Sequence, residues 1–431
     1  MMGAVIFSRM TTPQRSTQRG ATAIAVALTL ATGLAAPGPI RAQSAPGPTL
    51  VKIVGEQHML ALWSDGSVTG WGQYRQGELG PVAGITGRFN ADRLVTIQLP
   101  AKAMDVAAGG GTSYAVLEDG TVVAWGVGEQ GQLGTGPNPK LPLLASSTPA
   151  FEYRGMERPV AVSGLRGVVA IVADGASAHA LLGDGTVRAW GNGAIGDGRA
   201  PAKWGDPSQP IAWVPVSVPQ LGDVVKLSSG AGTILALKKD GRVFSWGGNY
   251  YGALGRPPRS EFGIDTPGEV PGMTNVVAIA AGLGVSTALK ADGTVWVWGS
   301  NLNSQFGFGE RVTSVGQTHG YELVPAPVPG LANVVEIAVG RGGRQTLARL
   351  KDGTLRAWGN NDWGQVGSGA GTGFQVRPIV PKITAVKAVF AAGRVSYAIR
   401  TDGSLWAWGG GGPIDWPLPR NVRVPTPLTL R

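Results

Sequence analysis

Cysteine is absent from the 431 residues, which excludes disulfides, thiol nucleophiles and thiolate metal ligands together. Histidine is scarce, and His58, His179 and His319 are too far apart to form a metal-ligand pair. His58 and His179 fall inside apolar runs and read as core histidines, so no metal site and no Ser-His-Asp arrangement is expected. Charged side chains make up only 15% of the chain. No Lys/Arg run marks a nucleic-acid tract, so no nucleic-acid partner is expected. A long hydrophobic run is also missing, since the most apolar stretch, Ala21 to Ala36, is too short to span a bilayer comfortably.

That stretch follows Arg9, Arg15 and Arg19 and leads through Pro37 to Ala42, which reads as an export signal over residues 1–42 despite Ile40 near the cleavage point. The expected location is secreted or periplasmic, with no transmembrane segment in the mature chain. Taking Arg9, Arg15, Arg19 and Arg41 from the 37 basic residues leaves 33 against 27 acidic, a charge of +6 rather than +10. Residues 43–49 read as a linker.

What is plentiful is glycine and proline, 69 and 31 residues, nearly a quarter of the chain. That composition suits short strands joined by turns. The turns are periodic. Asp65-Gly66, Asp119-Gly120, Asp184-Gly185, Asp240-Gly241, Asp292-Gly293, Asp352-Gly353 and Asp402-Gly403 each follow an alanine by four residues and precede a tryptophan by five. Those tryptophans are Trp71, Trp125, Trp190, Trp246, Trp298, Trp358 and Trp408.

Asp-Gly between two β runs is a hairpin signal, because both residues tolerate positive φ. Two more runs complete each repeat. One precedes the hairpin, as in Val276 to Gly282, and one follows a loop and usually carries proline, as in Val324 to Val328. A proline-bearing run belongs at an outer edge. Seven repeats of four antiparallel strands predict an all-β, seven-bladed propeller over residues 50–431. Columns of small residues (Gly70, Ala124, Ala189, Ser245, Ala357 and Ala407) and branched ones (Val68, Val122, Val187, Val243, Val295) are expected between blades. Spacing differences place insertions around Thr135 to Glu157 and Gly309 to Leu323. The end runs, Leu50 to Val54 and Val422 to Leu430, are expected in the same or neighbouring blades, where the ring closes.

The hairpin block followed by Gly77-Glu78-Leu79-Gly80, Gly131-Gln132-Leu133-Gly134, Gly252-Ala253-Leu254-Gly255 or Gly364-Gln365-Val366-Gly367 resembles the repeat of the regulator of chromosome condensation family. Ser304 to Gly307 and the shortened Ala194-Ile195-Gly196 are weaker forms, and repeat seven, with Gly409 to Gly412 and Pro413, lacks the element. The resemblance implies the propeller fold. The family's namesake is a nucleotide exchange factor for a nuclear GTPase and binds chromatin; an exported chain without a basic tail would meet neither partner. A secreted bacterial type that inhibits β-lactamases is similar in repeat and setting, and binds through loop side chains on one face.

Seven of the 27 acidic residues are the turn aspartates, and the glycine-rich stretches Gly109 to Gly111 and Gly409 to Gly412 open no helix after a strand. No catalytic residue and no cofactor is therefore assigned. What the repeat leaves unexplained lies four and five residues after each column tryptophan: Arg75 and Gln76, Glu129 and Gln130, Tyr250 and Tyr251, Leu302 and Asn303, Asp362 and Trp363. Repeat symmetry places all five pairs on one face. Aromatic, amide and charged tips of this kind suit a protein-binding surface. The reading is a monomeric exported scaffold that binds a protein or surface polymer. The alternatives are a carbohydrate-active enzyme with carboxylates near the channel, or a nucleotide exchange factor if the leader is not an export signal.

Overall fold

The computed structural model describes residues 47–430 apart from 82–89, 139, 145–151, 194, 200–210, 258–262, 310–320, 343, 370, 372, 411–417 and 419–420, with the side chains of residues 90–92 and 250 also outside the description. The export-signal segment, His319, and parts of both expected insertions therefore lie outside the described residues. So do Ala194, Gly411 to Pro413 and the Tyr250 side chain.

The described chain forms seven antiparallel sheets of four strands each. Blade 1 consists of Leu50–Gly55, His58–Trp63, Val68–Gln73 and Asn90–Thr96. Blades 2 to 7 span residues 103–161, 168–217, 224–269, 276–327, 334–379 and 386–428 in the same strand order. No α-helix occurs among the described residues. The first strands of successive blades touch one another around the ring, so they are innermost. The fourth strand is the outer edge, and Pro159, Pro215, Pro267, Pro325, Pro378 and Pro425 all lie in such strands. Their missing N–H groups interrupt no ladder there.

Every blade uses contiguous sequence, and the ring closes by packing rather than by an exchanged strand. Gly393 of blade 7 donates its N–H to the Gly55 carbonyl of blade 1. Ile53 and Met59 share a core with Ala392, Val395 and Tyr397 across this junction.

The Asp-Gly turns differ from the expected use of positive φ at both positions. Only the glycine has it, for example +80° at Gly293, whereas no turn aspartate does. Gly293 N–H bonds the Lys290 carbonyl and Lys290 N–H bonds that of Thr294, a three-residue loop with a left-handed glycine. Asp292 Oδ1 instead accepts from both the N–H and hydroxyl of Thr294, at 2.9 and 2.6 Å. These bonds, the hydroxyl first, hold the Asp292 carboxyl below the ordinary carboxylate range. The same bonding recurs at Asp65, Asp119, Asp184, Asp352 and Asp402.

The core lies between blades. All seven column tryptophans are fully buried. Trp125 of blade 2, for instance, packs with Leu60, Leu62 and Val68 of blade 1. The small column is equally sealed, with Ala124, Ala189, Ser245, Ala357 and Ala407 all fully buried. Gly299, after Trp298, has φ +98° and a position where a Cβ would collide with the Gly284 carbonyl oxygen. Only glycine fits there without strain.

Candidate functional site: the tip face

In each blade the loop between the first and second strands and the loop between the third and fourth lie at one end, and the Asp-Gly turn lies at the other. The ring therefore has a turn face and a tip face. The tip pairs named from the sequence belong to the third-to-fourth loops, so they share the tip face.

Among the described residues, five tip loops are closed by their own side chains. In blade 6, Gln365 Oε1 accepts the Trp363 N–H at 2.9 Å and Asn361 Oδ1 accepts the Val366 N–H at 3.0 Å. In blade 5, Gln305 and Asn301 do the same for Asn303 and Phe306. Gln132 serves Gln130, and Asn249 serves Leu254. Blade 1 uses a carboxylate, since Glu78 accepts the N–H groups of Arg75 and Gln76. Burial is the main influence on Glu78 and pushes its pKa up to about 7.

The loop then latches onto the next blade. Trp125 Nε1 donates to the Glu78 carbonyl at 2.9 Å, Trp190 to that of Gln132 at 2.8 Å, Trp298 to that of Ala253 at 2.8 Å and Trp358 to that of Gln305 at 2.6 Å. Thus the Gly-x-Leu-Gly element is an interblade joint. Its variable residue offers its carbonyl to the neighbour and, where it is Glu or Gln, its side chain to its own tip. The joint also explains His58, whose buried Nε2 bonds Ser113 Oγ at 2.9 Å while that hydroxyl donates to the Glu78 carbonyl at 2.7 Å. The single hydroxyl hydrogen of Ser113 is engaged by the carbonyl, so His58 donates its Nε2–H to Oγ and Nδ1 carries no proton. Burial, aided by the charge of Arg341, lowers its pKa to about 3. His179 is likewise buried, against the Trp246 ring, and burial lowers it to about 3.

Fixed in this way, the second tip residue reaches the inner loop of the following blade. Gln76 lies against Gly111, and Tyr251 against Gly284. Asn303 Oδ1 accepts from Arg344 Nη1 at 3.4 Å, and the Trp363 ring lies 4.8 Å under the Arg394 guanidinium. Glu129 and Gln130 are exposed. Tyr251 is 44% exposed and has φ +59°. Tyr251 and Trp363 do not form one cluster, because blade 5 stands between their blades.

The sequence reading missed the inner loops. Most of that slot is glycine, and the departures from it, Glu56, Asp174, Arg341, Arg344 and Arg394, were the available signal. Arg341 of blade 6 crosses the ring: its Nη1 donates to the carbonyls of Ala108 and Ala173 at 3.1 and 2.7 Å, and its Nη2 pairs with Asp174. Asp174 also accepts the Gly232 N–H of blade 4. Beside this crossing, Glu56, Gln57, Gln73, Arg75, Gly342, Gly393 and Arg394 enclose a cleft of about 400 Å³ among blades 1, 6 and 7.

The channel carboxylates have structural partners. Asp105 pairs with Lys52 at 2.6 Å and accepts the unpaired inner-edge N–H of Ile171. Glu336 pairs with Arg349 at 2.7 Å and accepts the Val389 N–H of the next blade. Among the described residues no group of three or more His, Asp or Glu could hold a metal, and no helix is long and apolar enough to cross a membrane.

Similarity to known proteins agrees with this architecture. A mitochondrial RCC1 domain-containing protein of Arabidopsis thaliana, RUG3, is 29% identical over 301 residues, covering 68% of this chain and 62% of that protein. The human E3 ubiquitin-protein ligase HERC2 is 30% identical over 331 residues, 75% of this chain but 6% of the ligase. The chain thus spans less than two thirds of either relative. A structure of yeast RCC1 (Prp20) bound to Kap60 superposes with TM-score 0.67 at 23% identity, covering 92% of this chain and 91% of that one. Human WBSCR16 superposes with TM-score 0.67 at 20% identity, covering 84% and 94%. The family model of the RCC1-like domain matches residues 95–428. The chain belongs to the RCC1-like domain family.

Proposed function

We propose that this chain is an exported binding scaffold whose tip face recognises a protein or surface polymer. The observation that carries this reading is the construction of the tips. Five loops are locked by side-chain bonds to their own backbone, and four of their second tip residues reach the adjacent blade's inner loop. A preorganised ring of varied side chains loses little entropy on binding. RCC1-like relatives such as the ubiquitin ligase carry the propeller within much larger proteins, which agrees with a recognition module. The channel carboxylates Asp105, Glu336 and Asp174 already serve as ion-pair and backbone partners, so they give the glycosidase alternative no support.

The test is a pull-down with residues 43–431 as bait. Tyr251→Ala combined with Trp363→Ala weakens capture of the partner at least tenfold, and unchanged capture removes the tip face as the site. Fractionation tests export: a protein retained at full length in the cytoplasm would return weight to the nucleotide-exchange reading.

A further inference from the structure

We infer that the turn-face mouth of the central channel binds an aliphatic monocarboxylate of the medium-chain fatty acid kind, with Lys226 holding the carboxylate and a ring of aliphatic side chains holding the tail. The site lies on the face opposite the tips, so it stands or falls independently of the tip-face reading.

Lys226 is the third residue of the innermost strand of blade 4. The same position carries Lys52, Asp105 and Glu336 in blades 1, 2 and 6, and Ala170, Ala278 and Ala388 in blades 3, 5 and 7. Most of the channel charges offset one another in contact pairs: Lys52 with Asp105, Arg349 with Glu336 and Arg341 with Asp174. Lys226 makes no hydrogen bond or ion pair with any described residue, and Glu336 and Lys52 act on it only through space. It is therefore the positive charge left over. Burial among the channel walls is the main influence on its ammonium and lowers its pKa; Glu336 opposes this and Lys52 adds to it. The side chain is still open to solvent.

Asp105 shows what a carboxylate does at this level of the channel. Its Oδ1 lies 2.6 Å from Lys52 Nζ, and its Oδ2 accepts the inner-edge N–H of Ile171 in the next blade at 2.9 Å. Glu336 likewise accepts the Val389 N–H of the blade after it. In blade 5 the corresponding residue is Ile279, which stands opposite Ala288 as Ile171 stands opposite Ala180 and Val389 opposite Ala398. Its N–H therefore points to blade 4. Two residues further along both strands, Ser228 Oγ accepts the Ala281 N–H at 2.9 Å, which fixes the offset and sets Lys226 beside Ile279. Here a donor faces a donor. A carboxylate from outside supplies the missing acceptor, bonding the ammonium and the N–H as Asp105 does. Ala170 and Ala278, on the blades to either side, leave room for it.

The tail follows from the neighbouring position. Val51, Met104, Val169, Val225, Val277 and Val335 are the second residues of their strands, at the turn-face end, and each is 43–54% exposed. Six aliphatic side chains left in water around one opening form the kind of patch that marks a binding site. Lys387 completes the ring on blade 7 and draws an anion toward it. Towards the tip face Arg341 bars the channel, reaching from blade 6 to the carbonyls of Ala108 and Ala173, so the tail lies across the ring. Apart from Lys387 the ring offers no side-chain donor or acceptor. A polymethylene chain leaves nothing unsatisfied there, whereas a peptide terminus would set its amides against valines.

The test is a calorimetric titration of the full chain at pH 7 and low salt with octanoate, 1-octanol, butanoate and an apolar pentapeptide with a free C-terminus. Octanoate is expected to bind at least tenfold more tightly than each of the others, the alcohol lacking the charge and butanoate the chain, and to weaken with added salt. Lys226→Met weakens it at least fivefold, Lys226→Arg keeps it within twofold, and Val225→Asn combined with Val277→Asn weakens it at least threefold. Melting temperatures confirm that the variants fold; Lys226→Gln replaces Lys226→Met if that variant does not, with the same loss expected. Equal binding of octanoate and octanol, or binding unaltered by the loss of Lys226, overturns the inference. So does binding unaltered by the valine pair, since charge alone would then account for it. Preference for the pentapeptide overturns it in favour of a protein terminus.

Discussion

Trp125 Nε1 donates to the carbonyl of Glu78 across the boundary between blades 1 and 2, and Ser113 Oγ donates to the same oxygen. One backbone carbonyl thus receives two donors from the neighbouring blade, which ties a tip loop to the blade that follows it.

Removing one donor at this joint leaves the carbonyl satisfied by the other. Trp125→Phe or Ser113→Ala alone is expected to cost about 1–2 kcal/mol, and the pair together more than the sum, because a buried carbonyl is then left unbonded. A double-mutant cycle by urea denaturation measures the excess, and strict additivity would refute the shared acceptor.

Glu78 makes this joint pH-sensitive. Its folded pKa, about 7, exceeds the ordinary glutamate value of 4.5, so the protonated form is the one the fold prefers. The associated stability is complete below about pH 4.5 and is lost as pH rises through about 7. Gln132, Gln305 and Gln365 fill the same slot in other blades without a charge. Glu78→Gln is therefore expected to raise stability by on the order of 2–3 kcal/mol at pH 8 and to change it little at pH 4.5. Thermal denaturation at the two pH values decides it, and a variant less stable than the parent at pH 8 would contradict the assignment.

Arg341 and Asp174 brace the ring across its channel. Arg341→Met leaves the Asp174 carboxylate buried without its cation, at an expected cost of about 3–5 kcal/mol. Adding Asp174→Asn should recover more than half of that loss. If the double variant is no more stable than Arg341→Met alone, the pair is not the source of the effect.

Ser304 occupies the position that is glycine in the tip loops of blades 1, 2, 4 and 6, and it keeps the left-handed conformation at φ +58°. Its buried hydroxyl has no partner. Ser304→Gly relieves both penalties and adds chain entropy to the unfolded state, for a net gain of about 1 kcal/mol. A lower denaturation midpoint would show that the strain is not there.

Blade number, strand order and the structural role of the repeated tryptophans were legible in the sequence because they depend on local periodicity, repeated seven times. The sequence also separated the tip residues from the repeat. Tyr251 and Trp363 stood out because nothing in the repeat required an aromatic there. Arg394 did not stand out, although Trp363 lies against it. The two are 31 positions apart in different blades, and no local pattern joins them. His58 could be read as a core histidine from its strand, but its bond to Ser113 spans two blades and could not be read.

The sequence by itself determined the unit: a hairpin closed by Asp-Gly, a buried tryptophan, an outer strand with proline and a loop free to vary. Only the tertiary structure decided which loops meet. Closing seven blades into a ring brings together residues as distant as Arg341 and Asp174, and it sets Arg75 beside Arg394 around one cleft. The physical reason is that strand pairing and turn chemistry act over a few residues, whereas contacts across an axis follow from the angles at which blades pack. Those angles are set jointly by all the buried interblade surfaces, and no single repeat encodes them.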